Sequence, residues 1–183
     1  MDTAGGDPFS ARSSGELIEQ LPKVWIGYVL ALATFGGEAI AVTRHPQLMQ
    51  SHGFVVPPLE IYLPVFVGVV YWLVCVHRYH VILRAASADG YPVSPARAVW
   101  FHFIPLYNFA WVFLWPRPLA EFVNQRLGRP EMKGWVIGAG ILISAVCRLL
   151  VDASVGLAIL FLTCTYISAH LRRVFSQPAA QAR

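Results

Sequence analysis

The chain has 183 residues, of which 56% are hydrophobic and only 13% are charged, and its mean hydropathy is +0.54. A soluble domain carries about 25% charged residues, so this composition excludes an ordinary soluble domain and indicates one compact membrane bundle. The formal net charge is +4. Because the basic residues flank apolar segments, we expect contact with the acidic headgroups of a bilayer and no binding of nucleic acid.

The first 20 residues contain early acidic residues and no apolar core. A cleavable signal peptide needs a basic start followed by an apolar stretch, so none is predicted. We expect residues 1–20 to be a disordered cytoplasmic tail. A second short tail is expected at residues 175–183, with the membrane domain over residues 21–174.

Four apolar segments have the length of about 20 residues that a helix needs to cross about 30 Å of hydrocarbon. They cover residues 24–42, 59–80, 134–151 and 154–171. The last two are joined by almost no linker, which predicts a tight antiparallel hairpin. The predicted fold class is therefore all-α, an integral membrane bundle of four transmembrane helices.

A fifth apolar segment, residues 98–115, is ambiguous, and the positions of lysine and arginine decide how it is interpreted. If this segment does not cross, 12 of the 14 basic residues fall on one side, with only Arg44 and Arg148 on the other. If it crosses, the division becomes 6 against 8. Basic residues concentrate on the cytoplasmic side of membrane proteins, so four spans with both termini in the cytoplasm are predicted.

The fifth segment is also broken in its middle. Pro105 lacks an N–H group and disfavours helix at Ile104, and Asn108 adds a polar amide. Backbone groups freed inside lipid are costly unless they are buried in protein or near water. We therefore predict a broken amphipathic segment over residues 95–127 that is re-entrant or lies on the cytoplasmic surface, and we leave open which of the two it is.

Local signals delimit this broken segment. Ser94-Pro95 is a typical helix start, and Gly128 followed by Pro130 is a typical end. Tyr107 and Asn108 are expected to satisfy backbone groups that Pro105 leaves free. The residues assigned to this interfacial segment are Trp100, Pro105, Tyr107, Asn108, Trp111 and Trp115.

Residues 94–111 read SPARAVWFHFIPLYNFAW. This SPxxAVxFHFIPxYNxxW-type segment resembles a pattern in small bacterial multi-pass membrane proteins of unknown function, in which it also follows an apolar span ending in Arg, Tyr and His. The resemblance covers about residues 70–125 and the four-span layout. It implies a location in the bacterial inner membrane and carries no activity or catalytic residues.

Ionisable groups inside spans are expensive and suggest function. Glu38 and Arg148 both fall in the outer parts of their predicted spans. Their pairing could line a polar site or a transport path. Alternatively, they could form a structural ion pair, or their side chains could simply extend to the outer interface. This second interpretation is favoured because Arg148 lies only a few residues from its span end. Gly36 and Gly37 would let another helix approach closely.

Four histidines could gather on the inner side: His77, His80, His102 and His170. The spacing of His77 and His80 can place two imidazoles on one helical face, near a metal or a haem. Histidines at span ends are also common without any ligand, so no cofactor is predicted and haem or metal remains the alternative.

No catalytic motif of the familiar hydrolase, metalloprotease or phosphate-loop kinds is present, and no catalytic residue is predicted. We therefore expect a non-enzymatic accessory or scaffold subunit that associates with a membrane-protein partner or with itself. A redox or metal protein that uses the histidines, and a small transporter that uses Glu38 and Arg148, are the two alternatives.

Overall fold

The computed structural model describes residues 14–46, 59–87 and 90–177. Within these ranges the chain is all-helical and contains no strand, which confirms the predicted all-α class. The helices are α1 (Ser14–Gln20), α2 (Val24–Arg44), α3 (Leu59–Ala86), α4 (Pro95–Trp100), α5 (Tyr107–Leu114), α6 (Pro116–Leu127), α7 (Gly134–Leu150) and α8 (Ala153–Ser176), with a 3-10 turn at Phe101–Phe103 between α4 and α5.

Among the described residues, three helical stretches are long and apolar enough to cross a membrane: Ser14–Arg44, Tyr62–Ala86 and Ala153–Ser176. α7 is apolar but shorter, with 17 residues. The chain therefore has the character of a membrane protein.

α8 is the central helix of the bundle, in contact with α2, α3 and α7. α2 and α7 run antiparallel to it. Gly27 at the start of α2 lies against Thr165, whereas the Ser154 hydroxyl at the start of α8 donates to the Thr34 carbonyl of α2. α3 runs parallel to α8, with the Tyr79 hydroxyl donating to the Cys164 carbonyl at 2.8 Å.

Close helix approach occurs at Gly27, not at Gly36. A Cβ on Gly27 would collide with the Thr165 side chain, whereas a Cβ on Gly36 would meet nothing within 4 Å. The expectation for Gly36 is therefore wrong. The two glycines lie nine residues apart on α2, and only Gly27 falls on the face that α8 covers.

The structure corrects two further expectations, which concern the tails. Residues 14–20, expected to be disordered, form α1, which packs on α8 through the buried Leu17. α8 extends beyond the predicted span end, to Ser176. Residues 1–13 and 178–183 of the predicted tails lie outside the described residues.

α4 and α5 form the two arms of a helical hairpin, which we call the 95–114 hairpin. α4 begins at Pro95, where the Ser94 side chain accepts a hydrogen bond from the Arg97 N–H group, so the predicted helix start is confirmed. α4 packs on α3 and α5 packs on α7. The arms therefore occupy the space between α3 and α7 at one end of the bundle.

α6 continues from the hairpin as the predicted amphipathic helix. Its apolar face, including Leu119, Ala120 and Val123, is buried. It ends at Leu127, with Gly128 at φ 66° in the left-handed region that favours glycine, which confirms the predicted end. The Asn124 side chain then donates to the Met132 carbonyl and accepts from the Met132 N–H group, both at 2.8 Å, and so fixes the connection to α7.

Candidate functional site

The tip of the 95–114 hairpin is a tight and unusual turn. Ile104 is extended, and the Tyr107 N–H group donates to the Pro105 carbonyl at 2.7 Å. Between them Leu106 has φ 64° and ψ −47°. This is a γ-turn of the rare positive-φ kind, which is strained for a residue with a Cβ. Leu106 is the only non-glycine with positive φ in the described part of the chain, and its side chain is 82% exposed.

Aromatic contacts hold the two arms of the hairpin together. The Phe101 ring centre lies 5.3 Å from that of Tyr107 and 4.9 Å from that of Trp111, in edge-on geometry. The Trp111 indole N–H group donates to the Ala98 carbonyl at 3.2 Å. Edge-on aromatic pairs add about 0.5–1.5 kcal/mol each beyond their buried area, so these contacts stabilise the closed form of the hairpin.

The opposite face of the hairpin presents apolar side chains outward. Several large ones lie close together in sequence and are exposed within this chain: Trp100, Phe103, Ile104, Leu106, Tyr107 and Phe109. We call these six residues the hairpin tip surface. An exposed cluster of apolar and aromatic side chains marks a surface for lipid or for another protein.

Two predicted interfacial tryptophans are not on this surface. Trp111 is 7% exposed and Trp115 is fully buried. The return arm turns their rings inward, where Trp115 contacts Trp72 of α3. They therefore contribute to the packing of the hairpin and not to an exposed surface, because the break lets the segment fold back on itself.

The expectation for Asn108 is also wrong. Its backbone N–H group donates to the Ile104 carbonyl at 3.0 Å. Its side-chain Oδ1 is shielded from solvent and has no hydrogen-bond partner among the described residues. The hydrogen bonds recorded around the turn join backbone groups to one another, and the Asn108 Oδ1 atom takes no part in them.

Beneath the hairpin lies a buried group of polar aromatic side chains, the His80 cluster, formed by His80, Tyr91, His102 and Trp115. The His80 ring centre is 5.3 Å from that of Trp115 and 5.5 Å from that of Tyr91, and the His102 ring centre is 6.2 Å from that of Trp115. His80 and Trp115 are both fully buried.

Several polar atoms of the His80 cluster have no partner among the described residues: both ring nitrogens of His80, His102 Nε2, the Tyr91 hydroxyl and Trp115 Nε1. The Nδ1 atom of His102 lies 2.7 Å from the Ala98 carbonyl. Because a carbonyl can only accept, Nδ1 carries the proton and Nε2 of the neutral ring has a free lone pair. A histidine held through Nδ1 in this way is arranged as metal-binding histidines usually are.

Tyr91 contributes a donor to the same cluster. Burial raises the pKa of its phenol, and the negative charge of Glu121 raises it further. The phenol therefore keeps its proton at neutral pH and can donate a hydrogen bond.

The four histidines expected on the inner side do not meet at one point. His77 is exposed and lines a surface cavity with Glu19 and Arg78. The His170 ring lies tilted against that of Tyr166, with ring centres 4.3 Å apart, and its Nδ1 atom lies 2.9 Å from the Tyr166 carbonyl. The described residues contain no group of three or more histidine, cysteine, aspartate or glutamate side chains suited to a metal ion. Of these four histidines, only His80 and His102 belong to the same cluster, in which both rings lie against Trp115.

The predicted Glu38–Arg148 pair does not form in the described structure. Glu38 lies instead beside Asp152, close enough for the two carboxyl groups to share a hydrogen bond. Both line a cavity of about 80 Å³ with Thr34 and Ser154. The Arg148 stem packs over Gly156, which has no side chain to exclude it.

The sequence interpretation assigned no role to Asp152. Its Oδ1 atom accepts from the backbone N–H groups of Ser154 and Val155, at 2.7 and 2.9 Å, and caps α8. Burial opposes its ionisation, but the hydrogen bonds with Glu38 and with these two N–H groups lower its pKa below the ordinary value. An aspartate followed by an apolar run is a helix-start signal that could have identified this role.

Comparison with known proteins adds no relative. No protein-family model, no curated protein and no solved structure matches this chain.

Proposed function

We propose that this chain is a four-span protein of the bacterial inner membrane, with α2, α3, α7 and α8 crossing and both termini in the cytoplasm. The 17 residues of α7 reach about 26 Å at 1.5 Å per residue, which is enough for a short span. The asymmetry of lysine and arginine along the sequence supports this orientation.

We further propose that the 95–114 hairpin is re-entrant, entering from the cytoplasmic side and turning within the bilayer. Its first arm starts beside the cytoplasmic end of α3 and rises along it, so that His102 contacts Trp72, midway along α3. Its second arm returns along α7, where Gly138 lies against Val112 and Phe113. Each arm packs on one face against a spanning helix, α4 on α3 and α5 on α7. Residues 103–107 at the turn are exposed within this chain, so a partner protein would have to cover this irregular backbone at membrane depth.

The role that we propose is that of a non-enzymatic accessory subunit that presents the hairpin tip surface to a membrane-protein partner. The observation that carries this proposal is Leu106. Its backbone strain costs about 1–3 kcal/mol, and its side chain makes little contact within the chain because it is 82% exposed. Glycine would adopt the same turn without strain. Lipid tails accommodate side chains of any shape and so give no reason for leucine at this strained position. A pocket on a partner protein that fits a leucine side chain gives one.

The test is purification of the tagged protein from its native membrane in mild detergent. The wild-type chain is expected to retain a stoichiometric partner, and Leu106→Ala is expected to lose it while still folding. Leu149→Ala is the matched control, because Leu149 is 83% exposed at the far end of α7. Migration of the wild type only as a free monomer would refute the accessory role.

A metal or haem protein is the second candidate, and the specific observation in its favour is the buried and unpartnered imidazole of His80. An unpartnered buried polar group costs about 1–3 kcal/mol, which a metal ion shared with His102 would offset. Metal content and a Soret absorption band, measured on purified wild type and on His80→Leu, test this candidate. Absence of both signals from the wild type would eliminate it.

A further inference from the structure

A second surface feature lies at the cytoplasmic end of the bundle, away from the hairpin tip surface and the His80 cluster. An open groove of about 810 Å³ runs between α1, the start of α2 and the end of α8. The side chains that give it chemical character are Glu19, Lys23, Trp25, Tyr28 and Arg172. We call it the α1–α2 groove.

The inner wall of the groove is cationic. The Arg172 guanidinium donates to the Leu21 and Pro22 carbonyls, at 3.0 and 3.4 Å, and so attaches the α1–α2 linker to α8. Its Nε atom is shielded and has no hydrogen-bond partner among the described residues. Lys23 is exposed at the end of the same linker. Two positive charges therefore border one cavity, and one donor of Arg172 remains without a partner.

The outer wall of the groove is aromatic. Trp25 is 58% and Tyr28 is 51% exposed, and they lie one helical turn apart on α2. The exposed apolar face of α2 continues beyond them through Leu32 and Phe35. Tryptophan and tyrosine prefer the level of the lipid headgroups, so this wall leads from the charged cavity directly into the acyl-chain region.

We propose that the α1–α2 groove is a binding site for an anionic phospholipid whose headgroup is an uncharged polyol, such as phosphatidylglycerol. The phosphodiester would lie between Lys23 and Arg172, with one acyl chain along the exposed face of α2. Basic pockets between membrane helices on the cytoplasmic side bind lipid phosphates in this way. The proposal rests on the membrane orientation proposed above but not on the accessory role.

Glu19 makes the two headgroup classes distinguishable by experiment. The two cations and one carboxylate give the groove a net charge of +1, which matches a monoanionic phosphodiester. The glycerol hydroxyls of phosphatidylglycerol can donate hydrogen bonds to the Glu19 carboxylate. A zwitterionic phosphatidylethanolamine would bind through the same carboxylate with its ammonium group, so its binding would depend on the charge of Glu19.

The experiment uses the full chain in nanodiscs of phosphatidylcholine alone, or with added phosphatidylglycerol or phosphatidylethanolamine. The thermal unfolding midpoint and the lipids retained in native mass spectrometry are measured together. Phosphatidylglycerol is expected to raise the midpoint and to be retained. Lys23→Gln is expected to weaken its binding about fivefold, since one basic residue near an anionic surface contributes about 1 kcal/mol.

Lys133→Gln is the matched control, because Lys133 is exposed just before α7 and does not line the groove. It is expected to keep the phosphatidylglycerol effect, and so is Glu19→Gln. Equal losses in Lys23→Gln and Lys133→Gln would mean general surface attraction and would overturn the site. Preferential retention of phosphatidylethanolamine that Glu19→Gln abolishes would overturn the assigned headgroup. Failure to enter nanodiscs would instead count against the membrane placement itself.

Discussion

The indole N–H group of Trp111 donates to the carbonyl of Ala98, 13 residues earlier in the chain, at 3.2 Å. The same carbonyl accepts from His102 Nδ1 at 2.7 Å. One buried backbone oxygen of α4 thus binds the returning arm and also orients the imidazole whose Nε2 atom belongs to the His80 cluster. The closure of the hairpin and the arrangement of the His80 cluster are therefore structurally linked.

Trp111→Phe removes the donor while keeping an aromatic ring. The expected loss in unfolding free energy is about 0.5–1.5 kcal/mol, the net contribution of one hydrogen bond, because the Ala98 carbonyl keeps its contact with His102. Denaturant unfolding in detergent measures this loss. Trp135→Phe is the control, since Trp135 is 63% exposed and should change little. An equal effect of both substitutions would show that the indole donor is not what closes the hairpin.

The parts of the fold that local sequence determines were predictable. Ser94-Pro95 and Gly128 determine the helix boundary directly beside them. The start of α4 and the end of α6 therefore follow from residue type. Pro105 correctly indicated a break. The same proline could not indicate the γ-turn at Leu106, because positive φ at leucine is disfavoured and is adopted only when the two arms impose it.

The parts that depend on contacts between distant helices were not predictable. Residue type alone made Arg148 the natural partner for Glu38, but the packing of α2 against the start of α8 places Asp152 there instead. Gly27 and Gly36 are alike in sequence, and only the direction of α8 distinguishes them. The burial of Trp115 likewise follows from the folding back of the hairpin, which no local pattern encodes.

Gly27→Ala is expected to lower the stability of the protein against unfolding, and Gly36→Ala is expected to raise it. A Cβ on Gly27 would lie 3.0 Å from the Phe161 carbonyl oxygen and would also strike Thr165, and overpacking of this kind costs about 1–3 kcal/mol. A Cβ on Gly36 meets open space, and alanine raises helix stability by about 0.5–1 kcal/mol over glycine. Thermal unfolding in detergent compares the two. Destabilisation by Gly36→Ala as large as that by Gly27→Ala would contradict the α2–α8 packing.

The His80→Leu substitution distinguishes a structural role of His80 from a role as a metal ligand. In metal-free protein, replacing an imidazole whose ring nitrogens are both buried and unpartnered is expected to leave stability unchanged or to raise it, because it removes an uncompensated desolvation cost. Val76→Ala, one helical turn away and fully buried, is the control for general sensitivity of this part of α3. Both proteins are then measured again with added metal. If His80→Leu is less stable than the wild type only under that condition, the metal candidate is supported.

Asp152 is expected to make stability depend on pH in the acid range. Its pKa in the folded protein is lowered, so the unfolded chain, with an ordinary value of about 3.9, binds its proton first as pH falls. The stabilisation is therefore fully present above about pH 5 and is lost progressively as pH falls through the lower, folded pKa. Unfolding free energy measured between about pH 6 and pH 3 should therefore decline more steeply in the wild type than in a variant that lacks the Asp152 carboxylate.

Two substitutions identify Asp152 as the source of that decline. Asp152→Asn keeps a side-chain oxygen that can cap α8 but cannot ionise, so its acid-range decline should be shallower than that of the wild type. Asp152→Ala also removes the cap and should cost about 1 kcal/mol at neutral pH. If Asp152→Asn instead loses stability in acid as steeply as the wild type, another carboxylate carries the effect. The arrangement of Glu38, Asp152 and the start of α8 would then have no part in acid sensitivity.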